Sequence, residues 1–386
     1  MIPYGRQDIQ EADIEAVVDV LRSSFLTQGP AVPRFEEAVA RQVGASHAVA
    51  VNSATAALHI ACIALGLGPG DRLWTVPNTF VASANCARYC GADVDFVDID
   101  AATWNLSVPA LHAKLIDAAR TGGLPKVVVP VHFSGQPTDQ EAIWELAREF
   151  GFRIIEDASH AIGASRNGEP VGSCRWSDIT VFSFHPVKIV TTGEGGMALT
   201  NDPAIAERMV RARSHGITRD ASRFVGDFGT QGPASWHYEQ QTLGYNFRLT
   251  DIHAALGTSQ LHRLEAYVAR RNALARRYDA ALKGLPLRLP TVNPENRSAF
   301  HLYVVRLEGT TRTQREVGDS LRTKGIGVNL HYAPVHLQPY YRALGFAPGQ
   351  FPEAEAYGRS ALTLPLYPTL TETEQDGVVS AVTQSL

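Results

Sequence analysis

Short apolar runs rich in Val and Ile recur along the first two thirds of the chain, and helix-length segments separate most of them. AVAVN (48–52) is followed by TAALHIACIALG, RLWTVP by VASANCARYCG, and VDFVDI and KVVVPVHF precede the helical segment 138–150; FRIIED, DITVFSF and GMALT complete the series. Such alternation predicts an α/β fold: a mostly parallel central sheet joined by βαβ crossovers and covered by helices. Upstream, Asp8 and Glu11 predict a capping box for a helix whose apolar face is Ile14, Val17, Val18 and Leu21. From 251 the pattern changes to one long helix, 251–284, expected to lead into a smaller α+β domain. That domain is read as strand AFHLYVVRL, helix 313–324, strand GIGVNLH and a final helix from about 371. The division is therefore 1–257 for the N-terminal segment and large domain, and 258–386 for the small one. The Gly-rich stretch 219–242 reads as a mobile loop, of a length uncommon unless functional or disordered.

With 386 residues and 45% hydrophobic content the chain can bury a large core. A net charge of -4 and the lack of any basic block speak against nucleic acid as a partner. The start MIPYGRQDIQEAD has no signal-peptide pattern, and no apolar run approaches membrane-spanning length, so a cytoplasmic, membrane-free protein is expected. Cys62, Cys86, Cys90 and Cys174 sit among small apolar residues and read as reduced thiols; Cys86 and Cys90 lack the further ligands a structural metal site needs. No metal is expected.

Five of the 35 cationic residues are lysines, and Lys114, Lys283 and Lys324 fall on or beside amphipathic helices. Lys188 differs: it follows a strand end, has apolar neighbours and precedes GEGG, whose glycines permit close backbone approach. Burial there lowers an amine's pKa and leaves part of it neutral, as a Schiff-base nucleophile requires; a turn lysine without a role is the plain alternative. Asp157, in EDASHAIG at the end of strand FRII, lies where α/β sheets place ligands and suits a protonated ring nitrogen, although a helix N-cap would use the same residue. His160 either touches a cofactor hydroxyl or fills a polar corner. Ser53, Ala54 and Thr55 join a strand to a helix and offer an N-terminus for a phosphate, with the Ser183 hydroxyl as a further ligand. Phe80 is placed to stack on an aromatic ring or to pack in the core.

A phosphate nest, a ring-nitrogen carboxylate and an isolated lysine in one α/β domain resemble the fold-type I (aspartate aminotransferase-like) pyridoxal phosphate (PLP) enzymes. More narrowly the chain resembles the DegT/DnrJ/EryC1/StrS family of nucleotide-sugar aminotransferases. LTQGP, NSATAAL, EDASHAIG, SFHPVK with GEGGM, LGYNFRLTDIHAALG and VNLHYAPVHLQPYY carry the likeness over nearly the whole chain. The combination IPYGRQ, SFLTQGP, DASHAIG and HYAPVHLQPYY is similar to the branch of that family serving pseudaminic acid biosynthesis. That branch aminates C4 of a UDP-linked 4-keto-6-deoxy-N-acetylhexosamine, giving UDP-4-amino-4,6-dideoxy-N-acetyl-β-L-altrosamine.

The resemblance implies that Lys188 bonds the cofactor aldehyde, Asp157 pairs with the pyridinium, and Ser183, Ala54 and Thr55 hold the phosphate while Phe80 stacks on the ring. It further implies that Asn246, in GYNFRL, reaches the phosphate of a neighbouring subunit, hence a homodimer with shared sites. Tyr4, the segment Ser24, Phe25, Leu26, Thr27, and the segment His331, Tyr332, Ala333, Pro334 match sugar-nucleotide contacts, with Ala54, Ser183 and Asn246 beside them. L-glutamate is the amino donor the family implies. The chain departs from many members by His160 in place of glutamine and by Phe80 in place of tryptophan or another residue. Retention of Lys188, which some relatives replace by histidine to become dehydratases, favours transamination. The rival readings are a C3 or C4 aminotransferase on a dTDP- or GDP-linked keto sugar, a cofactor-binding protein without turnover, and a metal-dependent isomerase using His331 and His336.

Overall fold

The computed structural model describes residues 1–228 and 232–386. A seven-stranded sheet forms its centre, built from β1 (His47–Val51), β2 (Arg72–Thr75), β3 (Asp93–Phe96), β4 (Val127–Val129), β5 (Arg153–Asp157), β8 (Ile179–Ser183) and β9 (Gly196–Thr200). Between β5 and β8 a small hairpin, β6 (Ser165–Arg166) and β7 (Glu169–Pro170), pairs with Asn296–Arg297 outside the main sheet. The central order is β1, β9, β8, β5, β4, β2, β3; β9 runs antiparallel to both neighbours and the remaining pairs are parallel. The expected mostly parallel sheet is therefore present, as a mixed sheet with one reversed strand.

This topology places the ends of β1, β2, β4, β5 and β8 and the start of β9 along one edge. Open α/β sheets bind ligands at that edge, because the strands stop there and the loops diverge. The helix after β1, Ala54–Ala64, is buried on nearly every face, packing on β8 and β9 and on helices Ala82–Tyr89 and Pro203–Arg213. Its largely apolar sequence, ATAALHIACIA, follows from that burial.

Helices Glu11–Arg22 and Ala31–Val43 pack on helix Asp251–Leu261. The first begins one residue after its cap, and the capping box is made by Gln10 and Asp13 rather than by Asp8 and Glu11. Its predicted apolar face does not enter the core: Ile14 and Leu21 are about half exposed, while Asp13 and Val20 are buried. The reason is Asp13, whose Oδ2 accepts from Gln260 Nε2 at 2.8 Å and from Arg263 Nη2 at 2.5 Å. This buried ion pair turns the polar side of the helix inward.

The single helix expected over 251–284 is two helices, Asp251–Leu261 and Leu264–Leu282. Arg263 between them leaves helical geometry (φ -102°, ψ 3°) with its guanidinium held by Asp13 and the Tyr267 hydroxyl. Tertiary contacts override continuous helix propensity there. In the C-terminal third, Leu287–Arg288, Tyr303–Leu307 and Ala361–Leu364 form an antiparallel sheet, covered by helices Gln314–Thr323 and Glu372–Ser385 around a core that includes Tyr278, Tyr303, Leu321 and Val378. The strand expected at 325–331 does not form. Ile326 bridges only to Ile2 and Asn329 only to Thr363, after which the chain turns toward the sheet edge.

Segment 219–242 has more structure than a bare loop. Ile217–Thr218 pairs with Glu239–Gln240, Ala221–Arg223 makes one helical turn, and Phe224, Phe228 and His237 cluster with ring centroids 4.6–5.6 Å apart. Residues 229–231 of that segment lie outside the described residues. Among the described residues no helix is long and apolar enough to cross a membrane.

Candidate active site

A cavity of about 450 Å³ opens at the sheet edge, within the range of small-molecule sites. Tyr4, Ser53, Ala54, Thr55, Phe80, Asp157, His160, Ser183, Lys188, His331 and Tyr332 all line it. These come from six separate stretches of sequence. Ser24, Phe25, Leu26 and Thr27 do not reach the cavity; they are exposed, with Thr27 bridged to Thr250. Asn246 is likewise exposed and bridges to Ser214, Ala333 is exposed, and Pro334 is buried outside the lining. The cavity of one chain thus holds part of the expected set.

Lys188 lies in the connection between β8 and β9. That connection is tied down at both ends: Lys188 N donates to His185 O, Thr192 N to Phe184 O and Phe184 N to Gly195 O, while the Thr191 hydroxyl donates to Phe184 O. Gly193 takes φ +81° in its turn, a conformation that costs other residues more. Held this way, the half-buried amine has its pKa lowered from the usual lysine range to about 8 by loss of solvent, with the Asp157 charge opposing part of the shift.

Asp157 ends β5. Its Oδ2 accepts a 2.6 Å hydrogen bond from Ser83 Oγ and its Oδ1 accepts from Ser159 N at 3.1 Å. No helix starts at Asp157, so a helix-capping role is set aside. Thr79 and Ser83 are bonded to each other at 2.8 Å and extend this support.

Ser53 is the N-cap of Ala54–Ala64, its hydroxyl accepting from Ala56 N at 3.1 Å. The first turn presents Ala54 and Thr55 to the cavity, with the positive end of the helix dipole behind them. Gly196 packs so tightly beneath this turn that a Cβ there would lie 2.4 Å from Ala54 N. The cradle thereby sits against the Lys188 loop.

Three imidazoles surround Lys188. Burial and then the nearby lysine charge hold His160 and His301 well below the ordinary histidine value, and burial takes His331 down to about 4. All three are neutral at physiological pH, so the charged side chains of the cavity are Lys188 and the carboxylates of Asp157 and Glu194. His301 packs on His160 at 4.5 Å between ring centroids. Tyr332 is kept a protonated phenol by burial and by the nearby Asp157 carboxylate. Phe80 is exposed to the cavity and lies 6.1 Å from the Tyr332 ring. His331 and His336 have separate partners, Thr363 Oγ1 at 2.8 Å and Glu355 Oε1 at 3.1 Å, which removes the shared-metal reading.

Sequence reasoning missed Thr79, Ser83, Ser159, His185, Glu194, His301 and Asn329, which line or support the cavity. A faint signal existed for two of them. Ser83 is a buried hydroxyl in an otherwise small and apolar helix start, and His301 interrupts an apolar run ahead of a strand.

A neutralisable amine, a carboxylate, three buried neutral imidazoles and a helix N-terminus sharing one cavity fit an aromatic aldehyde cofactor carrying a basic ring nitrogen and a phosphate. The fold and site define a fold-type I PLP-dependent sugar aminotransferase. The DegT/DnrJ/EryC1/StrS aminotransferase family profile matches residues 7–383, and the chain belongs to that family. It is 39% identical to the spore coat polysaccharide biosynthesis protein SpsC of Bacillus subtilis, over 99% of this chain and 96% of that one. Its fold matches that of Helicobacter pylori PseC, an aminotransferase involved in the biosynthesis of pseudoaminic acid, with TM-score 0.89, 30% identity and coverage of 100% and 98% of the two chains. Spr1654 of Streptococcus pneumoniae in its PLP-form superposes with TM-score 0.88 and 31% identity, covering 100% and 98%.

Proposed function

We propose that this enzyme transfers the amino group of L-glutamate to C4 of a UDP-4-keto-6-deoxy-N-acetylhexosamine, giving UDP-4-amino-4,6-dideoxy-N-acetyl-β-L-altrosamine for pseudaminic acid biosynthesis. The observation that carries the reaction type is the shared cavity of Lys188 and Asp157 beside the Ser53 helix start. Bound PLP supplies an electron sink for the carbanion formed at the donor's Cα. Asp157, supported by Ser83 and Ser159, holds the ring-nitrogen proton. Ser53, Ala54, Thr55 and Ser183 receive the phosphate, and Phe80 covers the ring. Lys188 Nζ, partly neutral near pH 8, takes the proton from the donor Cα in one half-reaction and delivers a proton to C4 of the sugar in the other.

Tyr4, His331 and Tyr332, which share the cavity lining, are assigned to the acceptor. Ser24, Phe25, Leu26, Thr27 and Asn246, exposed on this chain, are assigned to the cavity of a second copy in a homodimer. Exposed Ile14, Leu21, Phe25 and Leu26 supply an apolar surface for that association.

The choice of sugar is supported by the likeness to PseC. The higher identity to SpsC favours a second reading, in which the acceptor is another nucleotide-linked keto sugar, dTDP- or GDP-linked and aminated at C3 or C4. A panel of keto sugars tested with glutamate decides between them: turnover of the UDP-4-keto-6-deoxy-N-acetylhexosamine at least about ten-fold above the others, about 1.4 kcal/mol of transition-state preference, is expected. A preference for a dTDP- or GDP-linked sugar refutes the first reading.

A further inference from the structure

The direction of one hydrogen-bond chain in the cavity is fixed by a backbone amide. Ser134 N donates to His160 Nδ1 at 3.2 Å. That nitrogen is therefore the unprotonated one, and the single hydrogen of the neutral imidazole sits on Nε2. His160 Nε2 lies 3.1 Å from the Tyr332 hydroxyl, so the imidazole donates and the phenol oxygen accepts. The phenol's own hydrogen then points away from His160. Ser134 is locked in turn, its hydroxyl donating to Leu302 O at 2.6 Å.

Tyr332 is fixed on its other sides. Its backbone N donates to Asn78 Oδ1 at 3.3 Å, and its ring packs near Phe80, Phe133, His160 and His331. The hydroxyl has little freedom to rotate out of line. Lys188, Asp157, Ser183 and the Ser53 helix start enter the cavity from the ends of main-sheet strands, whereas Tyr4, Asn329, His331 and Tyr332 enter it from the N-terminal segment and the C-terminal third. With His160 donating to its oxygen, the Tyr332 phenol has its own hydrogen free for a ketone oxygen bound in the same cavity.

We propose that Tyr332, aimed by His160, donates the hydrogen bond that stabilises the keto oxygen of the acceptor sugar as negative charge develops on it. The phenol keeps its proton, and no bond to it is made or broken. Accepting from His160 strengthens the phenol as a donor, and a fixed donor at a developing oxyanion acts in the transition state. The inference rests on the keto-sugar reading above and adds a role confined to one of its two half-reactions.

The half-reactions are separable with holoenzyme, because the cofactor's visible band bleaches with glutamate and returns with the keto sugar. Tyr332→Phe is expected to slow return of the band about 100-fold, with a smaller effect on bleaching and an unshifted cofactor absorption spectrum. His160→Glu, which accepts from Ser134 N and would pull the phenol hydrogen toward itself, is expected to reproduce that defect. His160→Gln keeps the original direction, accepting through its carbonyl and donating through its amide, and should recover most of the rate. Circular dichroism checks that each variant folds. Equal slowing of both half-reactions, or a shifted spectrum in Tyr332→Phe, would place the hydroxyl on the cofactor and overturn the proposal. So would a His160→Gln as impaired as His160→Glu, or an unimpaired Tyr332→Phe. Failure of the wild type to regain its band with any keto sugar would instead refute the keto-sugar reading.

Discussion

Ser83 Oγ donates to Asp157 Oδ2 at 2.6 Å, joining the start of a helix after β2 to the end of β5. The bond fixes the carboxylate plane while leaving Asp157 in the cavity lining. Ser83→Ala removes a hydrogen bond to a charged group, of order 1.5–3 kcal/mol. Donor half-reaction rates about ten-fold lower are expected, with the protein still folded. Asp157→Ala removes the group proposed to hold the ring proton, and stopped-flow bleaching with glutamate should fall by more than about 100-fold.

Lys188 supplies a pH dependence with a definite sign. Its amine is protonated below about 8 in the folded apo-protein and below the ordinary lysine range in the unfolded chain. The rate at which apo-protein takes up the cofactor should therefore rise up to about pH 8 and level off, rather than climbing toward 10. Between those two pKa values the unfolded chain binds more protons than the folded one, so this group makes apo-protein stability rise with pH across that window. Below it both states are protonated and the burial penalty is present in full. Chemical denaturation of wild type and Lys188→Met at pH 7.5 and pH 9.5 measures it: the methionine variant should be the more stable at the lower pH, with the gap closing at the higher.

Gly196 touches the helix start proposed to receive the cofactor phosphate. A Cβ at that position would lie 2.4 Å from both Ala54 N and Ser53 C, contacts that real side chains do not make. Gly196→Ala must shift the Ser53 turn or the first residues of β9. Overpacking of this kind destabilises by about 1–3 kcal/mol, and cofactor affinity should fall along with the melting temperature. Titration of apo-protein with PLP checks the first and calorimetry the second.

How much of this was legible in the sequence varied with the range of the interaction. The main-sheet strands, Lys188 and Asp157 were readable because strand alternation and strand-end chemistry are local. Ser83 was not, since its meaning depends on Asp157, 74 residues away. The break at Arg263 escaped for the same reason: its partner Asp13 is 250 residues distant, and nothing near Arg263 departs from a helical pattern. Segment 325–331 has strand-like residues, yet its role is to carry Asn329, His331 and Tyr332 to the cavity, and a ladder there would hold them away from it.

Asp251 gives a prediction for stability rather than catalysis. Its carboxylate, 1% exposed, accepts from Gly29 N at 2.7 Å, Ala31 N at 2.6 Å and Val32 N at 3.3 Å, and so satisfies the start of helix Ala31–Val43 from 219 or more residues away. Asp251→Ala leaves these amides without an acceptor and should cost about 3 kcal/mol. Asp251→Asn retains one acceptor and should cost less. Urea unfolding of the two variants beside wild type checks the order.

Asn246 and Lys188 test the shared-site assignment together. Asn246 is exposed and does not line the cavity of its own chain, so a phosphate contact from it must be made to a second copy. Asn246→Ala and Lys188→Ala would then each impair both sites of their own homodimer. In a hybrid dimer, however, one site carries both lesions and the other carries neither. Random subunit exchange makes about half of the dimers hybrids, each with one intact site of two, so mixing the impaired variants should restore about a quarter of wild-type activity. Were Asn246 to act within its own chain, every hybrid site would carry one lesion and mixing would restore nothing. Denaturation and refolding of an equimolar mixture, with each variant refolded alone as the control, separates the two outcomes.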